Sequence, residues 1–170
     1  LISAYCNAFN IEGYCFRFVS LLGPRYPHGH VYDFVKKLIN DPSRLEILGD
    51  GTAEKSYLHI DDCISALMLI CEDKRPAKSS SVGFEVFHLG MEEFIQVSDS
   101  ARLIASQLGL TPKYEFGEGK RGWVGDNPFV LLDVSKIKDF GWRPRHTIKD
   151  SIKETTEWLR MNDWIFEDRA

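Results

Sequence analysis

Three groupings of residue types could carry chemistry. Gly117, Gly119 and Gly122 spell G-x-G-x-x-G, a pattern that lets a backbone approach a dinucleotide pyrophosphate. That chemistry needs the loop to open a helix, whose first N–H groups meet the phosphates. Trp123-Val124-Gly125-Asp126-Asn127-Pro128 follows instead, which is no helix start. Tyr32 and Lys36 lie at i, i+4 and would share a helix face. An ammonium beside a phenol lowers the phenol's pKa, as proton transfer requires. An ordinary amphipathic helix with Lys36 in solvent has the same spacing. His28-x-His30 could ligate a metal, but no third ligand stands at an informative spacing, so a polar loop is expected. No Ser or Cys sits in a nucleophile elbow. What is left is cations in loops between apolar segments: Arg25, Lys55, Lys120 and Arg121. An Arg in a Gly-rich loop can hold a phosphate bidentately while the backbone comes close; taken singly, each is equally a solvated surface charge.

The elements that must position these residues follow from periodicity. Ile2, Tyr5, Cys6 and Phe9 mark one face of a helix over Leu1–Asn10, with no capping residue before it. Such a start suggests a chain cut from something longer. Tyr14–Val19 reads as a buried strand, broken at Gly23-Pro24. Val31, Phe34, Val35 and Leu38 form the stripe of a second helix, ending near Asn40. Leu45–Leu48 is a short strand, Gly49-Asp50-Gly51 a turn and Ser56–Ile60 an extended segment. Asp61 and Asp62 open a helix with Ile64, Leu67, Met68 and Cys71 as its inner face, where carboxylates oppose the helix dipole. Phe84–Leu89 is a strand. Ser98 is expected to cap a helix carrying Ala101, Ile104, Ala105 and Leu108. Lys113–Phe116 is a strand and Ser135–Phe140 a short helix. Thr147 with Asp150 caps a last helix with Ile148, Ile152, Thr155, Trp158 and Leu159 inside. Alternating helices and strands indicate α/β or α+β.

Composition narrows the function classes. The 170 residues are 44% hydrophobic, enough for an ordinary core. Lys plus Arg is 21 against 25 Asp plus Glu, a net charge of −4, which disfavours non-specific nucleic-acid binding. No apolar run is long enough to span a bilayer. Cys6, Cys15, Cys63 and Cys71 form no C-x-x-C pair, and buried free thiols in a reducing cytoplasm are expected. No secretory leader is apparent.

The order of segments carries more than any one of them. Arg17-Phe18-Val19-Ser20-Leu21-Leu22-Gly23-Pro24-Arg25 resembles an R-x-x-N-x-x-G-P-R strand and loop. Leu48-Gly49-Asp50-Gly51-Thr52 resembles a Y-G-D-G turn, and Lys55-Ser56-Tyr57-Leu58-His59-Ile60-Asp61-Asp62 resembles R-D-Y-(I/V)-H-V-x-D. Phe87-His88-Leu89-Gly90 resembles Y-N-(I/L)-G, and Asp133-x-Ser135-Lys136 followed by Gly141-Trp142-Arg143-Pro144 resembles D-x-S-K…L-G-W-x-P. In this order they are similar to the extended short-chain dehydrogenases, the NAD-dependent sugar-nucleotide epimerases and dehydratases, with UDP-glucose 4-epimerase-like proteins the best match.

The resemblance implies an α/β fold: the C-terminal part of a Rossmann-type protein, with a small substrate-binding domain and the last strands of the dinucleotide sheet. Residues 1–24 would end the Rossmann domain, 25–60 serve the substrate, 61–96 return to the sheet, and 97–170 complete the substrate domain with the closing helix. The family's nucleotide loop and Tyr-x-x-x-Lys precede the R-x-x-N strand, so Tyr32 and Lys36 are not that pair, and no catalytic or metal-binding residue is assigned. Phe18 and Leu21 would lie near the nicotinamide of NAD. Ser20 would stand near the sugar where the family has Asn. His30 and Val31 would begin the helix that flanks the base, and Glu46 and Leu48 would lie on the short strand that covers it, where a backbone edge can read the base. Lys55 and Arg121 would take the diphosphate, and Asp126 matches an Asp of the family's R-P-G-D. The implied ligand is a nucleotide sugar, a UDP-hexose. The implied assembly is a homo-oligomer, with neither nucleic acid nor membrane as partner. In the complete protein a Tyr would take a sugar hydroxyl proton, NAD the hydride, and a 4-keto intermediate would rotate before hydride returns. This chain alone is expected to be inert; the alternative is a naturally truncated, non-catalytic nucleotide-sugar-binding or assembly module.

Overall fold

The computed structural model of the chain describes residues 1–72, 83–122, 125 and 129–167. Helix α1 spans Ile2–Phe9 and closes on Asn10 in the left-handed conformation, φ 52°. Strand β1, Gly13–Phe18, pairs in parallel with β6, Phe84–Leu89, so the two expected dinucleotide-sheet strands are neighbours. A three-residue strand, β2 (Ser20–Leu22), pairs in parallel with β5, Tyr57–His59. Strand β3, Arg44–Ile47, runs parallel to β8, Lys113–Phe116. The two-residue β4 (Glu54–Lys55) and β7 (Ile95–Gln96) make an antiparallel bridge. Helix α2 is Gly29–Asn40, α3 Ile60–Glu72, α4 Val97–Gln107, α5 Ser135–Asp139 and α6 Ile148–Met161.

The core lies where α2, α4 and α6 pack on one another and on β2, β3 and β5. The expected stripes of three helices are inside: Val31, Phe34, Val35 and Leu38 of α2, Ala101, Ile104 and Ala105 of α4, and Ile148, Ile152, Thr155 and Leu159 of α6. Thr147 caps α6 as expected, its hydroxyl oxygen accepting from the Asp150 N–H at 3.1 Å.

Three local expectations fail. Ser98 does not cap α4; it lies inside the first turn, and Gln96 occupies the cap position without a side-chain bond. The first N–H groups of α4 are satisfied by tertiary contacts instead, Val97 N to Ala53 O at 2.9 Å and Ser98 N to Gly51 O at 3.0 Å. The face of α3 is also rotated from the expected one. Cys63, Ala66 and Ile70 are buried, whereas Ile64, Met68 and Cys71 are exposed. This helix is apolar nearly all round, so periodicity offers two stripes, and the small Ala66 and Cys63 let it approach β2 and β5 most closely. The cysteines are free but not all buried: Cys6 and Cys63 are, Cys15 is half-buried and Cys71 is exposed. No helix of the described residues is long and apolar enough to cross a membrane.

Candidate functional site

Three adjoining cavities open around the end of β1 and the start of β2. One, of about 420 Å³, is lined by Phe18, Leu21, Leu22, Pro24 and Ile60, with Arg25 at its side. A second, of about 400 Å³, is bounded by His30, Phe34, Leu48, Lys55 and Tyr57, with Asp33 and Gly122 also on its wall. A third, of about 260 Å³, is lined by Phe18, Glu54, Lys55 and Val130. Ser20 borders all three, and Tyr26 and His28 stand between the first two.

The local sequence builds these walls. The parallel register of β2 and β5 places Ser20 opposite Tyr57. The bridge of β4 with β7 holds Lys55 opposite Ile95. Asp50 shapes the turn under the cavity, accepting from Thr52 N at 2.9 Å and from the Thr52 hydroxyl at 2.6 Å. Those bonds, the hydroxyl first, hold its carboxyl below the usual range. The glycine-rich segment packs directly on this turn. A Cβ at Gly49, whose φ is +76°, would stand 3.1 Å from the Gly119 and Arg121 carbonyl oxygens. Only glycine suits both the left-handed backbone and the close approach. The contact brings Arg121 beside the rim, and its neighbour Gly122 into the wall.

The sequence-derived residues therefore divide. Ser20, His30, Leu48 and Lys55 meet at one cavity, and Phe18 and Leu21 at another. Arg121 is exposed at the edge. Val31 is wholly buried in the core and does not line the second cavity. The Glu46 side chain points instead toward Lys37, 3.7 Å away, and its carbonyl accepts from Lys37 Nζ at 3.2 Å. Asp126 lies outside the described residues. Tyr32 is taken up by packing, its hydroxyl donating to the Ile165 carbonyl at 3.2 Å.

Sequence reasoning did not single out Tyr26, Tyr57 or Ser100. His30 sits in the first turn of α2, at the helix start that the resemblance implies, Nδ1 2.7 Å from the Tyr57 hydroxyl and Nε2 2.8 Å from Ser100 Oγ. Tyr26 seats its ring against Gly29, where a Cβ would collide with the Tyr26 hydroxyl. Burial pushes the Tyr26 phenol up to about 12 from an ordinary 10.0. An absorbance titration should therefore show one of the six tyrosines ionising last. The folded state keeps this proton after the unfolded chain has lost it. Stability from this group is full below pH 10 and falls between 10 and about 12, so the melting temperature should drop over that window, and less steeply in Tyr26→Phe.

His59, Asp61 and His146 also gather, their ligand atoms within 4.8 Å of one another. The imidazoles stack at 4.0 Å and 25°, which keeps their in-plane lone pairs near parallel rather than convergent. His59 Nδ1 accepts the Asp61 N–H at 3.2 Å, and His146 Nδ1 bonds Asp62 at 3.0 Å. We assign no metal to this group.

The model of the NAD dependent epimerase/dehydratase family matches residues 1–84. A crystal structure of UDP-galactose 4-epimerase matches with a TM-score of 0.79 at 30% identity, over 96% of this chain and 50% of that one. The chain belongs to the NAD dependent epimerase/dehydratase family. A family relative, a putative UDP-glucose 4-epimerase of Methanocaldococcus jannaschii, is 22% identical over 166 residues, which is 95% of this chain and 50% of that protein. The fold of a family structure, UDP-glucuronic acid 4-epimerase from Bacillus cereus with UDP-glucuronic acid and NAD, matches with a TM-score of 0.75 at 22% identity. That match covers 93% of this chain and 48% of the other. The α/β architecture is thus part of a Rossmann-type extended fold, and the chain spans about half the length of these relatives.

Proposed function

We propose that this chain is the nucleotide-sugar-binding portion of an NAD-dependent sugar-nucleotide epimerase or dehydratase, the complete protein epimerising a UDP-hexose at C4 through a 4-keto intermediate. The observation that carries the reading is the position of Ser20. It borders an apolar space walled by Phe18 and Leu21, and also a space edged by the Lys55 cation. A ligand lying across Ser20 would have a flat cofactor ring on one side and its own phosphates on the other. A structure of similar fold holds UDP-glucuronic acid and NAD together, which is in keeping with a site that takes both.

The residues present fit part of NAD. The apolar walls suit a nicotinamide ring, whereas no described glycine loop opens a helix to cradle the pyrophosphate. NAD, when bound, supplies the hydride acceptor. This chain's residues bind and orient. Lys55 and Arg121 neutralise the diphosphate, Ser20 reaches the sugar, and His30 and Leu48 flank the base. Val31 and Glu46 lie behind that wall and take no side-chain part. Asp126 is assigned to the nucleotide sugar by its match to the R-P-G-D Asp alone.

Titration calorimetry with UDP-glucose tests the assignment. Arg121→Ala should weaken binding by ~1.5–3 kcal/mol, the size of a lost charge-assisted contact. An unchanged affinity removes Arg121 from the site. The chain alone, given NAD and UDP-glucose, should form no UDP-galactose; turnover abolished by Tyr32→Phe would overturn the reading.

A further inference from the structure

His30 is held between two hydroxyls, and that arrangement has two hydrogen-bond polarities. A neutral imidazole carries one N–H, whereas a hydroxyl can donate or accept. With the proton on Nδ1, His30 donates to the Tyr57 oxygen and Ser100 donates to Nε2. The Tyr57 O–H then turns away from His30. With the proton on Nε2, Tyr57 donates to Nδ1 and His30 donates to Ser100, so Tyr57 presents only lone pairs elsewhere. Packing holds the three groups in this arrangement. Ser100 is fully buried, Tyr57 is 4% exposed, and the His30 ring lies 5.3 Å from Phe34 and 5.6 Å from Tyr57, centroid to centroid. His30 and Tyr57 both line the 400 Å³ cavity, whose charged lining groups among the described residues are Lys55 on β4 and Asp33 on α2, the latter 3.0 Å from Lys37.

We propose that His30 is a positioning residue whose tautomer decides whether Tyr57 offers a proton or a lone pair to the ligand, and that a nucleotide oxygen selects the Nδ1–H form. The inference rests on the reading of this cavity as the nucleotide-sugar site. The ligand group it takes is an acceptor oxygen, carried either by the base and ribose or by the diphosphate.

The test is nitrogen NMR of the chain with 15N-labelled imidazoles, His30 being assigned from His30→Gln. Titration with UDP should move His30 Nδ1 to the protonated, pyrrole-type shift and Nε2 to the acceptor-type shift. Parallel titrations with uridine and with pyrophosphate show which oxygen does this. Tyr57→Phe should retain UDP binding, weakened roughly 5- to 10-fold, the size of one lost hydrogen bond, with the tautomer no longer responding to UDP. Saturable UDP binding with unchanged His30 nitrogens overturns the proposal and leaves the cavity's assignment standing. No binding of UDP, uridine or pyrophosphate overturns both.

Discussion

Asp62→Ala should destabilise the protein by about 3–5 kcal/mol, the cost of removing one partner from a buried charged network. Its side chain is 1% exposed. One oxygen accepts the Arg145 N–H at 3.0 Å; the other accepts the His146 N–H at 3.0 Å and lies 3.0 Å from His146 Nδ1. Alanine would leave two backbone N–H groups without acceptors, each worth about 1–3 kcal/mol. The turn it secures leads directly into α6, and α6 packs on both α2 and α4. Urea unfolding followed by circular dichroism measures the change as a lower midpoint at similar slope. The neighbouring Asp61, which is exposed, serves as control: its alanine variant should stay within about 0.5 kcal/mol. Equal effects at the two positions would show that Asp62 acts only as a helix-start charge.

Lys136→Ala should cost about 2–4 kcal/mol. The Lys136 ammonium pairs with Glu85, a carboxylate 4% exposed at the second position of β6. It also donates to the Val86 carbonyl at 2.9 Å and lies 4.5 Å from the Phe87 ring centroid. Removing the lysine strands Glu85 as an unpaired charge beneath α5. The expected loss sits below the top of the usual range because Lys136 is 41% exposed and water can partly take its place. The double variant Lys136→Met, Glu85→Gln should recover most of the loss, giving a coupling energy above about 1 kcal/mol in a thermodynamic cycle. Additive single effects would show that the two side chains do not stabilise each other. Because β6 pairs along the whole of β1, the same variants should loosen Phe18 at the cavity wall.

Both residues show how legibility depends on the range of the interaction. Asp62 was read as a charge favouring its own helix, and that local reading is sound. Its larger role concerns residues 83 and 84 positions away, which local spacing cannot encode. Glu85 stands within the Phe84–Leu89 strand, and its burial depends on a lysine supplied by α5. Strand β2 was missed for a related reason. Three residues have no periodicity to detect, and β2 is defined by its pairing with β5. The His30–Ser100 contact joins the first turn of one helix to the start of another, 70 positions apart, and no local spacing pairs the two residues.

The sequence by itself determined the family, the α/β class, and most helices and strands. These depend on properties carried within a few residues: periodic apolar stripes, capping side chains, and glycine where the backbone must turn left-handed. The Thr147–Asp150 cap is of this kind, complete within one helical turn. Only the tertiary structure decided which stripe of α3 faces inward, that backbone carbonyls of Gly51 and Ala53 cap α4, and that Val31 and Glu46 lie away from the cavity. It also decided that Tyr57, His30 and Ser100 form one chain of hydrogen bonds. The physical reason is that burial and hydrogen bonding depend on distance in space, and several chemically acceptable faces or partners exist for each residue until distant segments pack and exclude all but one.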